Sequence, residues 1–376
     1  MHVCLMCIEF FGDSIYGGFG RSTRFIGREL ARRGVQVSVV VSRRSPDRPD
    51  RYELEGMTVH QVAPARMDHA VRLFRTLRAD VYHSQDTSML TLLSRIACPQ
   101  AAHVVTFRDP MDHVDWRIES DHAGMPAAGW WSYRQFIGNP LVTRAVRQAD
   151  GRYAAATFIG PKARAIFGLP ETPPLLASPV DLPLTDTPKA TRPTICWVGR
   201  WEGRKRIEHF FALAAANPHV TCVAVGGARD PQRDRALRVR YSGLPNLLMT
   251  GVLDQFADPA WSRVMGESWV LVNTSLREGL PTTFLEAAAH GTAILSGNDP
   301  DGFASRFGAH AEEGRLQDAL TWLLAHDRWR TLGRAGYAFV AQQFATEPAL
   351  QAHLDAYAAA IDAARRRTGA ASRRAS

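Results

Sequence analysis

Short apolar and β-branched runs alternate with longer runs of helical period along almost the whole chain, and this alternation admits few architectures. Parallel strands need long crossovers, usually helices, so the pattern predicts parallel sheets with helices on both faces. In the first half, strands are expected at 3–10, 35–41, 57–62, 81–83, 102–107 and 152–155. Helices are expected at 21–33, 69–78, 87–97, 131–148 and 158–167. Seven prolines then fall between Leu169 and Pro193, a density that reads as a linker or a rigid crossing. The alternation restarts with strands at 194–198, 220–225, 247–250, 269–273 and 293–296, and ends in helices at 312–325, 327–343 and 347–366. The fold class predicted is α/β: two doubly wound, Rossmann-like domains joined near residue 185. Ligands bind such a sheet beyond the carboxyl ends of its strands, and two such edges facing one another make a cleft.

The bulk numbers agree with two domains. A chain of 376 residues is too long for one ordinary core. No apolar run reaches 18 residues, so no membrane-spanning helix is expected, and the start from Met1 to Phe10 reads as the first strand rather than a leader. Cys4 and Cys7 have metal or redox spacing, but a strand points them to opposite faces, so all five cysteines read as buried small side chains of a reducing compartment. Of the net charge of +8, five charges lie in the last dozen residues, at Arg365, Arg366, Arg367, Arg373 and Arg374. What remains is too little to argue for nucleic acid. Residues 367–376 read as a basic disordered tail, whose sharper reading is a weak tether to an anionic membrane surface.

The most informative stretch runs from Leu271 to Ser296. It reads as strand, polar loop, turn, helix, glycine stop and strand. Glu278 precedes the helix and Glu286 lies about a turn inside it. Pro281 suits the first helical position, and Gly291 suits the residue past the last turn. Amides at such a helix start bind anions, and two flanking carboxylates could hold the hydroxyls on either side of a diphosphate. A Glu near a helix start is also favourable on dipole grounds alone.

Two glycine loops add to this. Gly12 to Arg24 places Gly17, Gly18 and Gly20 before a helix whose first turn carries Arg21 and Arg24. The spacing is not that of a dinucleotide fingerprint, and Val41-Ser42-Arg43-Arg44 supplies no acid after the second strand, which disfavours NAD or FAD. In the second half, the strand 194–198 ends in Gly199-Arg200, and a helix is expected to open on Arg204-Lys205-Arg206. Cations there oppose the helix dipole by roughly 0.3–1 kcal/mol each, a cost that makes sense where an anion docks.

These residues resemble the retaining glycosyltransferases of family 4, with the GT-B fold. Gly199-Arg200 with Lys205 is similar to that family's glycine-arginine and lysine pair, and Glu278 to Glu286 to its E-x7-E motif. Val225-Gly226-Gly227 and the run Asn246 to Leu253, with Val252, are similar to the parts that meet the nucleotide. In the first half Gly17-Gly18, Arg32 to Val35, Asp80 to His83 and Val104 to Thr106 fall in the family's order. The resemblance implies that Arg200 and Lys205 hold the donor diphosphate with the backbone of Gly199, that Glu286 binds ribose hydroxyls, and that Glu278 touches the donor sugar. Amides near Gly279, Leu280 and Thr282 would meet sugar or phosphate. It implies no metal and no cofactor, a nucleotide-diphosphate sugar (UDP- or GDP-linked) as donor, and a glycan or lipid-linked acceptor. The place of action would be the cytoplasm, with contact to the inner face of the membrane left open.

The chain also departs from the pattern. Thr106-Phe107-Arg108-Asp109 stands where many members carry a histidine, so Arg108, Asp109 or His113 is the candidate there. Ser178-Pro179 replaces asparagine and glycine, and Gly297 to Gly302 replaces a glycine-rich segment. A catalytically silent GT-B protein that binds sugar nucleotides or serves as a scaffold is the alternative reading. Trp130 or Trp131 is a candidate platform on the acceptor side. The domains expected are 1–182 (acceptor side), 183–345 (donor), a helix 346–366 packing back toward the first domain, and the tail.

Overall fold

A computed structural model describes residues 1–11, 17–43, 49–63, 66–123, 139–183, 188–312 and 314–375, with side chains as far as residue 370. The chain forms two compact units. The first comprises Met1–His113, Pro126–Pro179 and Glu347–Ser376, and the second Val114–Met125 and Val180–Thr346.

Unit 1 carries a seven-stranded sheet in the order β3-β4-β2-β1-β5-β6-β7. The strands are β1 His2–Cys7, β2 Gln36–Ser42, β3 Arg51–Leu54, β4 Met57–Val62, β5 Val81–Ser84, β6 Ala102–Phe107 and β7 Gly151–Ala154. Neighbours pair in parallel except in the β3–β4 hairpin. That hairpin turns on Glu55 and Gly56, both at positive φ, as a tight two-residue turn demands. Strand β3 is not among the sequence expectations, because its alternation of exposed and half-buried residues has no apolar run. Strands β5 and β6 are buried throughout, as a parallel sheet covered on both faces requires.

The helices of the first half are α1 Gly18–Arg32, α2 Met67–Leu77, α3 Met89–Ala97, α4 His113–Ala123, α5 Pro140–Arg147 and α6 Ile159–Phe167. The segment 131–148 was expected as one helix; its described part is helical from Pro140. Trp130 and Trp131 lie outside the described residues.

Unit 2 has a six-stranded sheet in the order β10-β9-β8-β11-β12-β13. Its strands are β8 Thr194–Val198, β9 Thr221–Val225, β10 Leu247–Gly251, β11 Val270–Asn273, β12 Ala293–Ser296 and β13 Gly308–His310, all paired in parallel. Its helices are α7 Ile207–Ala216, α8 Pro231–Tyr241, α9 Pro259–Glu267, α10 Thr282–Ala289, α11 Phe303–Phe307, α12 Leu316–Leu324 and α13 Arg328–Gln343. Helices α5, α8 and α9 share one start: Asn139, Asp230 or Asp258 accepts a backbone amide two residues on, and proline follows at the first helical position. The core is rich in rings, with Trp197, Trp201, Phe210, Phe211 and Trp329 buried together.

The last helix, α14, spans Thr346–Ala375. From Glu347 on it belongs to unit 1, where Leu350, Tyr357, Ala360 and Ala364 join the core of the first sheet. Residues 367–375 are therefore helical, which corrects the expected disordered tail. One of its cations is built into the fold: Arg367 makes two 3.0 Å bonds to the buried Asp150 carboxylate and donates to the carbonyls of Pro99 and Ala101. Among the described residues, no helix is long and apolar enough to cross a membrane.

Candidate active site

In unit 2 the strand order reverses between β8 and β11, since β9 and β10 extend one edge from β8 while β12 and β13 extend the other. At such a switch point the loops leaving two adjacent strands diverge and open a crevice at their carboxyl ends. The loop after β8 runs from Gly199 to Arg206, and the loop after β11 from Thr274 to Pro281. Three contacts tie the two together: Leu276 donates to the carbonyl of Arg204 at 2.9 Å, the Thr274 hydroxyl to the carbonyl of Lys205 at 2.6 Å, and Arg206 to the carbonyl of Thr274 at 3.0 Å. Trp197 fixes the same threonine from below through its indole nitrogen at 3.0 Å.

The cations do not open a helix. Gly203–Lys205 is a 3-10 turn, Arg206 is left-handed, and α7 begins at Ile207. This correction removes the dipole cost and places Arg204 and Lys205 on a tight turn facing the β11 loop. The Lys205 ammonium is bonded to Glu278 Oε1, Asn273 donates to the same oxygen at 3.3 Å, and Arg204 stands 3.8 Å from Oε2. Burial alone would raise the Glu278 carboxyl, but the charges of Lys205 and Arg204 hold it at about 2, so it is ionised at any physiological pH. Burial, and then the crowding of Arg204 and Arg200, lowers Lys205 below the ordinary ammonium value against the pull of Glu278. Arg200 is a quarter exposed and approaches Glu202 only at 3.8 Å.

Backbone closeness does the rest. Gly226 lies at φ +125°, and a Cβ there would sit 1.8 Å from the carbonyl oxygen of Gly199. Its amide donates to Gly251, so the ends of β8, β9 and β10 are drawn together. Val252, just beyond, is half exposed. Pro281 is the residue before α10, one place earlier than expected, and Thr282 is its first residue. Gly291 takes φ +65° past the last turn, where the expectation placed it. Glu286 is partly buried one turn into α10, and Gly279 and Leu280 form the bend that leads to it.

Two family models match the chain: Glycosyltransferase Family 4 over residues 16–172, and Glycosyl transferases group 1 over residues 192–325. The chain belongs to the family 4 glycosyltransferases. Solved structures agree on its fold. A sucrose-phosphate synthase from Thermosynechococcus elongatus superposes with a TM-score of 0.71 at 19% identity, over 94% of this chain and 98% of that one. A glycosyltransferase from Rickettsia africae gives 0.65 at 14%, over 96% and 98%. Anabaena HepE, in complex with UDP and glucose, gives 0.66 at 13%, over 94% and 98%. No curated protein matches in sequence. The shared architecture is GT-B, two Rossmann-like α/β domains with parallel sheets.

In unit 1 of this glycosyltransferase the switch point falls between β1 and β5. Gly17 precedes α1 and Gly18 begins it. A Cβ on Gly17 would meet the Glu9 carboxylate at 2.1 Å, so the approach is close. The two first-turn cations are structural. Arg24 makes a two-bond pair with Glu55 at 2.8 and 3.0 Å, and Arg21 lies over the Phe11 ring. Arg108 is buried, its guanidinium bonded to Ser178 at 2.7 Å and to Gln85. It braces the ends of β5 and β6 against the 178 loop, and Asp109, partly exposed, is the member of the pair that meets solvent. The Asp299-Pro300-Asp301 triplet has metal-motif spacing, but Asp299 accepts the Ser305 amide of α11 at 3.1 Å.

Two groups were missed by sequence reasoning. One is the acid pair of α4, Asp115 and Glu119, which reaches Arg277 and Arg204. The only signal was their spacing of four, one helical turn. The other is Asp86, after β5. Burial first, and then the neighbouring Asp109, raises its carboxyl to about 7 against the Thr87 amide and the Arg108 charge. An acid raised in the folded state contributes stability that is full below its unfolded value near 4 and is lost as pH rises through about 7. Asp86→Asn is therefore expected to raise the melting temperature at pH 8 and leave it almost unchanged at pH 4. Equal shifts at both would remove Asp86 as the source.

Proposed function

We propose that this glycosyltransferase is a retaining, metal-independent enzyme that moves a sugar from a UDP- or GDP-linked donor to a glycan or lipid-linked acceptor in polysaccharide or glycoconjugate biosynthesis. The observation that carries this is the convergence of Arg200, Arg204, Lys205 and Glu278 at the switch point of unit 2, with Glu286 one turn into the following helix. Arg200 and Lys205 hold the diphosphate with the Gly199 backbone, and their fixed charges stabilise the departing phosphate. Amides at Gly279, Leu280 and Thr282 meet sugar or phosphate oxygens. Glu286 accepts from ribose hydroxyls, Glu278 from the donor sugar, and Gly226 and Val252 line the nucleotide.

The acceptor oxygen attacks the anomeric carbon on the face the phosphate leaves. The new C–O bond forms as the bond to phosphate breaks, and the acceptor proton passes to the departing phosphate oxygen, so no protein nucleophile is required. Gly17, Gly18 and Asp109 serve the acceptor side, with Arg108 behind them. The reaction takes place in the cytoplasm, and the exposed Arg365 and Arg366 offer a weak contact to an anionic membrane face.

A thermal-shift panel of UDP- and GDP-sugars tests the reading, because a ligand that binds only the folded state raises the melting point. One base is expected to stabilise and the other not, and a panel without any shift would remove the donor assignment. In the same format, Glu286→Ala should weaken the stabilising donor about tenfold, the loss of one or two charge-assisted bonds.

A further inference from the structure

The turn that carries Arg204 and Lys205 is not open on its other side. Helix α4, more than 80 residues earlier in the chain, lies directly on it: a Cβ on Gly203 would fall 2.2 Å from the carbonyl oxygen of His122. From this helix Glu119 bonds Arg204 Nε at 2.8 Å and Arg277 Nη1 at 2.8 Å, and Asp115 bonds Arg277 Nε at 3.1 Å. Both arginines belong to the two loops of the switch point, and Arg277 precedes Glu278 itself. Its side chain is only 7% exposed and that of Arg204 is 16%. Charges held this far from water need partners, and the partners here are carboxylates from a separate piece of chain.

The balance of charge is telling. With α4 in place, Arg200, Arg204, Lys205 and Arg277 stand against Glu202, Glu278, Asp115 and Glu119, and the cluster is close to neutral. Without the two acids of α4, four cations are left with Glu202 and Glu278, and the excess is what a diphosphate neutralises. Carboxylate and phosphate oxygens are interchangeable partners for a guanidinium fork.

We propose that Asp115 and Glu119 act as a resident anion in the donor site, holding Arg204 and Arg277 until the donor diphosphate takes them over and helix α4 is released. The inference rests on the phosphate-site reading above. It makes donor binding an exchange of one anion for another, and couples it to the freedom of residues 114–123. Glu119 is in this sense a positioning residue, which keeps the arginines oriented while it lowers the apparent affinity for the ligand that displaces it.

The test uses the full-length protein and inorganic pyrophosphate. By calorimetry, Glu119→Gln should bind pyrophosphate at least tenfold more tightly than the wild type. By hydrogen exchange on the wild type, saturating pyrophosphate should speed exchange in residues 114–123, a readout that stands even if the variant does not fold. Binding no tighter in Glu119→Gln, or exchange in 114–123 left unchanged by pyrophosphate, overturns the proposal. Arg200→Ala separates the two levels. If it abolishes pyrophosphate binding, the phosphate site stands whatever Glu119 does. If it leaves binding untouched, the phosphate site itself falls, and this inference with it.

Discussion

Lys205→Ala is expected to lower turnover by more than tenfold at saturating donor, and Arg200→Ala to do the same. Each removes a preorganised cation from the place where charge develops on the leaving phosphate, and a charge-assisted contact to phosphate is stronger there than in water. The two variants differ in their effect on the fold. Arg200 meets Glu202 only at 3.8 Å, with both side chains a quarter or more exposed, so its loss should leave the melting point nearly unchanged. Lys205 is bonded to Glu278, whose side chain is only 9% exposed, so its loss strips a low-lying carboxylate of its main partner. A melting point that falls in Lys205→Ala and recovers in Lys205→Ala/Glu278→Gln, without recovery of turnover, would separate the two contributions. Full activity in both single variants would show that the phosphate is held elsewhere.

Gly226→Ala is expected to be strongly destabilising. The residue lies at φ +125°, a conformation that costs any other residue roughly 1–3 kcal/mol, and the new carbon would overlap the Gly199 carbonyl at 1.8 Å. Backbone on both sides must shift, and the shift runs straight into Gly199 and the Gly251 carbonyl that accepts the Gly226 amide. Both the denaturation midpoint and donor binding should fall together. A variant with wild-type stability would mean that the ends of β8, β9 and β10 are looser than their geometry implies.

How much of this was legible depended on whether the signal was local. Strands β6, β8 and β12 fall where their apolar runs place them, because a doubly covered sheet needs an unbroken apolar segment and little else does. The glycine that ends a helix, Gly291, was also legible, whereas the close packing of Gly226 on the Gly199 carbonyl was not. The two loops of the switch point announced themselves through Gly199, Lys205 and Glu278. What escaped was long-range pairing. Arg21 and Arg24 look like a first-turn anion site until Glu55 and Phe11 are brought to them from elsewhere in unit 1. Helix α4 has Val114, Trp116 and Ile118 at every second place, which is no helical stripe. Its acids meet Arg277 across 162 and 158 residues of chain, a partnership that no window of sequence contains. Arg108 stood in the right neighbourhood, but only packing could reveal that it turns inward.

The assignment of α14 to unit 1 has a consequence for biogenesis. The first sheet is complete once residue 154 has left the ribosome, yet Leu350, Tyr357 and Ala360, which seal one of its faces, are made about two hundred residues later. Until then that face is covered only in part, by Ile26 and Leu30 of α1, while the whole of the second sheet is synthesised. Helix α14 therefore acts as the closing clasp of the half that was begun first.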